Sequence, residues 1–143
     1  MPYEYLEEIG TADIAFEATG RDLPELFRDA ADATTNVMID NIEAIQPRET
    51  RQIELSNDKL DMLLFDLLQE LIFLKDAELL LLRMRQLEIE KKDEKLFLHG
   101  LAEGEELDVE RHHQRADVKA VTLHDFSVER MEGGWKARVL LDI

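Results

Sequence analysis

The sequence predicts a single α+β domain over residues 1–143, with two helices packed on one large, mostly antiparallel β-sheet. Three observations predict it. The hydrophobic periodicity reads strand, helix, strand, helix, then several strands in succession, with no repeat, linker or low-complexity segment. The run 60–74 is a helix too apolar to lie on a surface, so strands must cover it. Short charged or glycine turns join the strands after residue 79, as antiparallel neighbours require.

Residues 3–9 read as a weak lead-in strand, and Gly10-Thr11-Ala12-Asp13 as a break. Ile14, Phe16 and Ala18 then alternate with Ala15, Glu17 and Thr19, the period of a strand with one face inward, and Gly20 ends it. Asp22 caps the first helix, with Pro24 in its first turn and Glu25 three residues after the cap. Leu23, Leu26, Phe27, Ala30, Ala31, Ala33, Thr34, Val37 and Met38 form its apolar stripe, and the alanines allow close packing. Asp40-Asn41 ends it, and Pro47 marks the following loop. Residues 51–55 alternate as a short strand.

The core helix carries Leu60, Leu63, Leu64, Leu67, Leu68, Leu71 and Leu74 on one face, with Met62, Phe65, Ile72 and Phe73 widening the stripe. Ser56-Asn57-Asp58 offers capping side chains, and Lys75 suits the negative end of the helix dipole. Ala77 to Leu82 is compatible with more helix, but Met84, Leu87 and Ile89 favour a strand over 79–91. Lys91-Lys92-Asp93-Glu94 makes a hairpin turn, and 95–102 returns as a strand. An acidic loop follows over 103–108. Strands are expected over 116–123 and 126–131, then a turn at Glu132-Gly133-Gly134. Trp135, Ala137, Val139 and Leu141 define a final strand running to Ile143, with Trp135 a core anchor.

The composition excludes several classes of function. With no cysteine, disulfides, thiolate nucleophiles and zinc–cysteine sites are excluded. The 45% hydrophobic content excludes disorder. The opening Met1-Pro2-Tyr3-Glu4-Tyr5 does not resemble a signal peptide, and no apolar run reaches membrane-spanning length, so a cytoplasmic protein is expected. The net charge of -16 repels nucleic acid and anionic lipid, so neither direct RNA binding nor membrane association is expected. It suits a solvated acidic surface, a bound cation or a basic protein partner. There is no Ser-His-Asp set, P-loop or dinucleotide fingerprint.

Asp13 opens the first strong strand, and Asp142 with the α-carboxylate of Ile143 closes the last. If those strands are neighbours, three carboxylates converge, and an all-oxygen set suits Ca²⁺, Mg²⁺ or Mn²⁺. The plainer alternative is that Asp13 caps a turn and Asp142 is a solvated strand end. Lys119 and His124 read as a solvent-side lysine and a loop histidine, and Asp40 as a helix-end residue. His112 and His113 are adjacent and point opposite ways in a strand, which disfavours a shared ion. Glu105 reads as a solvated member of the acidic loop.

Gly-Thr-Ala-Asp-Ile at 10–14, Leu26-Phe27 with the alanine-rich helix and Val37-Met38, Gly104-Glu105, Lys119-Ala120-Val121-Thr122 with His124, and the ending Val139-Leu140-Leu141-Asp142-Ile143 together resemble the archease family, over essentially the whole chain. The resemblance implies a small acidic α+β protein that is not an enzyme. It implies a protein cofactor of the RtcB-type tRNA-splicing ligase, promoting guanylylation of the ligase's active-site histidine and multiple turnover. It also implies a bound divalent metal, calcium in the resembling members, on Asp13, Asp142 and Ile143. The family usually has histidine before Thr-Ala-Asp, where this chain has Gly10. Two further readings stay open on the residues alone: a metal-dependent hydrolase using the carboxylates to activate water, and an acidic chaperone-like adaptor.

Overall fold

The computed structural model describes residues 3–6 and 13–143. The expected order is present: β1 (Tyr3–Tyr5), β2 (Asp13–Gly20), α1 (Leu23–Met38), β3 (Glu49–Asn57), α2 (Leu60–Glu78), β4 (Leu80–Lys92), β5 (Lys95–Glu106), β6 (Ala120–Met131) and β7 (Gly134–Asp142), with a short 3-10 turn at Ile42–Ala44. The class is α+β, as the sequence predicts. The one large sheet expected is instead two antiparallel sheets, one ordered β1-β2-β7-β6 and the other β3-β5-β4. Both helices touch strands of both sheets and touch each other, so they lie between the sheets.

This division follows from α2. A helix with apolar residues around most of its circumference needs cover on two sides, and one sheet face supplies only one. Leu63, Leu64, Leu67 and Leu68 have no exposed surface. Phe65 is half-buried and meets Phe126 of β6 edge to face at 5.7 Å. Phe73 departs from the expectation: it turns outward and is 59% exposed.

α1 begins as expected, with Asp22 Oδ1 accepting the Glu25 N–H at 2.9 Å. α2 does not use the expected caps. Its N-cap is Lys59, without a side-chain hydrogen bond. Asn57 belongs to β3, where it accepts the Lys59 N–H at 3.1 Å and donates to Asp66 at 3.0 Å. The helix ends at Leu79, whose φ of 55° breaks the chain into β4. Of the expected lead-in strand, 3–5 is formed; 7–9 and the break at 10–12 lie outside the described residues. The segments 116–123 and 126–131 merge into β6, which starts at Ala120 and shifts register between Thr122 and Ser127.

The acidic loop expected over 103–108 is largely strand, since β5 continues to Glu106. Gly104 permits this. A Cβ there would lie 1.7 Å from the Leu81 carbonyl oxygen on β4, so the two backbones approach more closely than any side chain allows. Gly104→Ala is therefore expected to cost at least ~3 kcal/mol, because main chain rather than a flexible side chain must move. Thermal unfolding of the variant checks this.

Asp29 on α1 is the opposite case, a carboxylate in a poor position. Its Oδ2 is buried with no partner among the described residues. Burial, then the charges of Glu25 and Asp32, raise its pKa to about 6. The folded state thus holds this proton more tightly than the unfolded chain, and stability falls as pH rises through that range. Asp29→Asn should raise the urea midpoint at pH 7 and leave it unchanged at pH 4.

Candidate metal centre

The ladder between β2 and β7 pairs eight residues, from Gly20 opposite Trp135 to Asp13 opposite Asp142. Ile14, Phe16 and Ala18 face Leu141, Val139 and Ala137 on the core side. Alternation then puts Asp13 and Asp142 on the other face, with Ala120 of β6 completing the row. Two carboxylates directly opposite in a ladder repel each other unless something neutralises them. Asp13 is the first residue of β2, and both aspartates are half-buried. Ile143 follows Asp142 directly and is also half-buried.

The donor chemistry fits a hard cation. Among the described residues no three His, Asp or Glu side chains group to hold an ion. Two aspartates plus main-chain oxygen is the set on offer. On the same sheet face, one step from this row, Thr122 Oγ1 is buried without a partner among the described residues. A buried hydroxyl in that state calls for a water or ligand beside it.

The residues next to Asp142 are held in place. Lys119 N–H donates to the Asp142 carbonyl at 2.8 Å. Lys75, near the end of α2, is only 8% exposed. Its Nζ meets Asp117 at 2.6 Å and Asp76 at 2.5 Å. Burial opposes its charge, but these hydrogen bonds outweigh burial and raise its pKa. The Lys119 side chain is exposed, and so is His124, 3.5 Å from Asp125. Asp40 is an exposed residue just beyond α1. Trp135 packs at the edge of the core, with the Arg130 guanidinium 5.7 Å from its ring centre. Gly10 lies outside the described residues.

Comparison with known proteins adds to this geometry. The model of the Archease protein family matches residues 3–143. The chain belongs to the archease family. The Protein archease of Methanothermobacter thermautotrophicus is 41% identical over 133 residues, 93% of this chain and 94% of that one. That of Methanopyrus kandleri is 35% identical over the full length of both. The solution structure of Methanobacterium thermoautotrophicum protein 1598 superposes with a TM-score of 0.85 at 38% identity, covering 99% of each chain. A crystal structure from Thermotoga maritima, described as an archease and possible chaperone, shares the fold at a TM-score of 0.56 and 17% identity, covering 96% of this chain and 97% of its own.

In this archease the sequence reading of two residues is corrected. Glu105 is not a solvated loop residue: it is 2% exposed. Arg111 grips it with both terminal nitrogens, one at 2.7 Å to Oε2 and the other to Oε1. Arg48 Nε stands 3.4 Å away, and the Gln46 N–H donates at 2.8 Å. His112 is not on a strand but in a turn, buried, with Nε2 2.9 Å from Glu105. Its Nδ1 accepts the Asp108 N–H at 2.9 Å, so Nε2 carries the proton and donates to the carboxylate. His113 points away and is exposed, 3.6 Å from Asp40. This cluster ties β5 to the loop at 44–48 and the turn at 108–112; it does not join Asp13 and Asp142. The signal available in the sequence was the number of nearby cations, Arg48 and Arg111, but their spacing from Glu105 follows no motif.

The Arg111 hydrogen bonds hold the Glu105 pKa down at about 2 against an ordinary 4.5, although burial opposes them. A depressed acid stabilises the fold above its unfolded pKa, and that contribution disappears as pH falls through the folded one. Wild-type stability should therefore fall between pH 4.5 and about 2. Glu105→Gln should be less stable at pH 7 and show a flatter profile across that window, read from urea midpoints at each pH.

Proposed function

We propose that this archease is a metal-binding protein cofactor of an RtcB-type RNA ligase, acting in tRNA splicing. In this reading Asp13, Asp142 and a main-chain oxygen of Ile143 hold a divalent cation, calcium first, with Mg²⁺ and Mn²⁺ as the other hard ions that fit. The observation that carries the reading is the register of β2 on β7, which sets the two aspartates side by side with Ile143 next in the chain. Family membership supports the ligase as partner. A net charge of -16 supports a partner whose surface is basic, as one built for RNA phosphates must be.

Asp13, Asp142 and Ile143 would hold the cation, which would supply positive charge between the opposed carboxylates. The chain's part is to hold those carboxylates on a rigid ladder at one end of the four-stranded sheet. The acidic end then docks beside the ligase's active site, supplying or positioning the cation, or holding the ligase in the form that accepts GTP. Guanylylation of the ligase's histidine and multiple turnover follow from that docking. This assigns no catalysis to the chain itself, and places it in the cytoplasm with its ligase.

Calorimetric titration with Ca²⁺ should show binding to the wild type that is lost in Asp13→Asn and Asp142→Asn, with thermal stability retained. In a guanylylation assay with purified ligase, the wild type should raise the rate and both variants should not. Equal stimulation by the variants would remove the metal from the mechanism. Phosphatase or nuclease activity of the purified chain with Ca²⁺, Mg²⁺ or Mn²⁺ would favour a hydrolase instead. Suppression of aggregation of unrelated proteins, unaffected by either variant, would favour a chaperone.

A further inference from the structure

We propose that Lys75, assisted by Gln69, is a positioning residue for the carboxylate pair, a role that rests on the cation reading above. Among the described residues β6 is an edge strand, with β7 on one side and no strand on the other. α2 takes the place of the missing neighbour. Gln69 Oε1 accepts the Val121 N–H at 2.9 Å. Six residues further on, Lys75 Nζ binds Asp117 at 2.6 Å and reaches the Val118 carbonyl at 3.4 Å.

The Lys75 contacts fall where the chain enters β6, immediately before the residue that fixes Asp142, and the Gln69 contact falls two residues after it. Asp117 and Val118 precede Lys119, whose N–H holds the Asp142 carbonyl at 2.8 Å. Ala120, next along, is the ladder partner of Asp142. A path of adjacent groups thus runs from α2 through 117–119 to Asp142. Both ends of it are anchored: Lys75 and Val118 are buried, and Asp142 is locked against β2.

The same position shows why a lysine stands among leucines. Neighbouring Leu71, Ile72 and Leu74 are buried in the core. A charged group placed there costs stability unless it is paired. The ammonium is paired with Asp76 on its own helix and also with Asp117, so that it straps α2 to the segment that enters β6. Asp117 itself is largely exposed, with 75% of its side chain in solvent, so the lysine reaches outward to it. A residue whose only purpose was to fill the core would need neither the ammonium nor that reach.

Outer groups that orient metal ligands typically change affinity by ten- to a hundredfold when removed. Lys75→Met keeps the buried stem and removes the strap, so it should weaken Ca²⁺ binding by calorimetry about tenfold. Gln69→Met should weaken it in the same direction, and Lys75→Arg should restore most of the affinity. Leu98→Ala, in β5 of the other sheet, controls for general loss of stability and should leave affinity unchanged.

Hydrogen exchange on the ion-free chain reads the positioning itself. The Lys119 N–H should exchange faster in Lys75→Met, while 127–131 of β6 stays protected. Unchanged exchange at Lys119 overturns the inference, whether or not calcium binds. So does wild-type Ca²⁺ affinity in Lys75→Met when Asp142→Asn has lost binding. A wild type that binds no Ca²⁺ but shows the exchange change would sink the cation reading and leave the strap standing.

Discussion

The pairing of β2 with β7 is the constraint on which the other features depend. Eight residues on each strand are locked in one register. The register gives one face of the ladder to the core, while on the other face Ala15 and Leu140 are buried and Glu17 and Arg138 are partly exposed. Phe16, Ala18, Val139 and Leu141 are wholly buried on the inner face. A slip by one residue would turn them outward and bring Glu17 and Arg138 inward. The hydrophobic core therefore fixes the register, and the register sets Asp13 against Asp142. The electrostatic cost of that opposition is carried by the packing of four apolar side chains a few residues away.

The two sheets deal with charge in different ways. In the three-stranded sheet Glu105 is buried and fully partnered, by two guanidiniums, an imidazole and a main-chain N–H. Such a cluster stabilises only because every lone pair is met; removing one partner strands a charge in a poor solvent. In the four-stranded sheet Asp13 and Asp142 stand opposite each other, with no basic side chain paired to either among the described residues. The first arrangement is a structural tie, and the second is the one we propose as a cation site. The contrast is legible in the partners, not in the residue types, since both begin from carboxylates near strand ends.

α2 connects these parts. Its leucines fill the space between the sheets, and its polar side chains do specific tasks at the margins. Asp66 takes a hydrogen bond from Asn57 at the end of β3. Gln69 and Lys75 reach the beginning of β6. The helix is thus both the core of the domain and the support for an otherwise unsupported edge strand. Phe73, which is 59% exposed, lies between those two supports in the sequence.

The sequence by itself determined the elements and their order. Period-two alternation marked β2, β3, β5 and β7, and the leucine spacing marked α2, because side-chain direction repeats locally whatever the rest of the chain does. It also determined the aspartate candidates, since Asp13 and Asp142 sit at strand ends that local pattern can locate. Only the tertiary structure decided which strands are neighbours, that the strands form two sheets rather than one, and that Asp13 faces Asp142. It alone decided the fates of Glu105, His112 and Lys75. Read locally, Glu105 is one acid in an acidic run, yet Gly104 draws β5 against β4 and carries it inside. Lys75 reads as a helix-end cation, and its partner Asp117 lies 42 residues away. The physical reason is the same in each case: periodicity is a property of neighbouring residues, whereas burial and charge pairing depend on groups that meet only after the chain has folded.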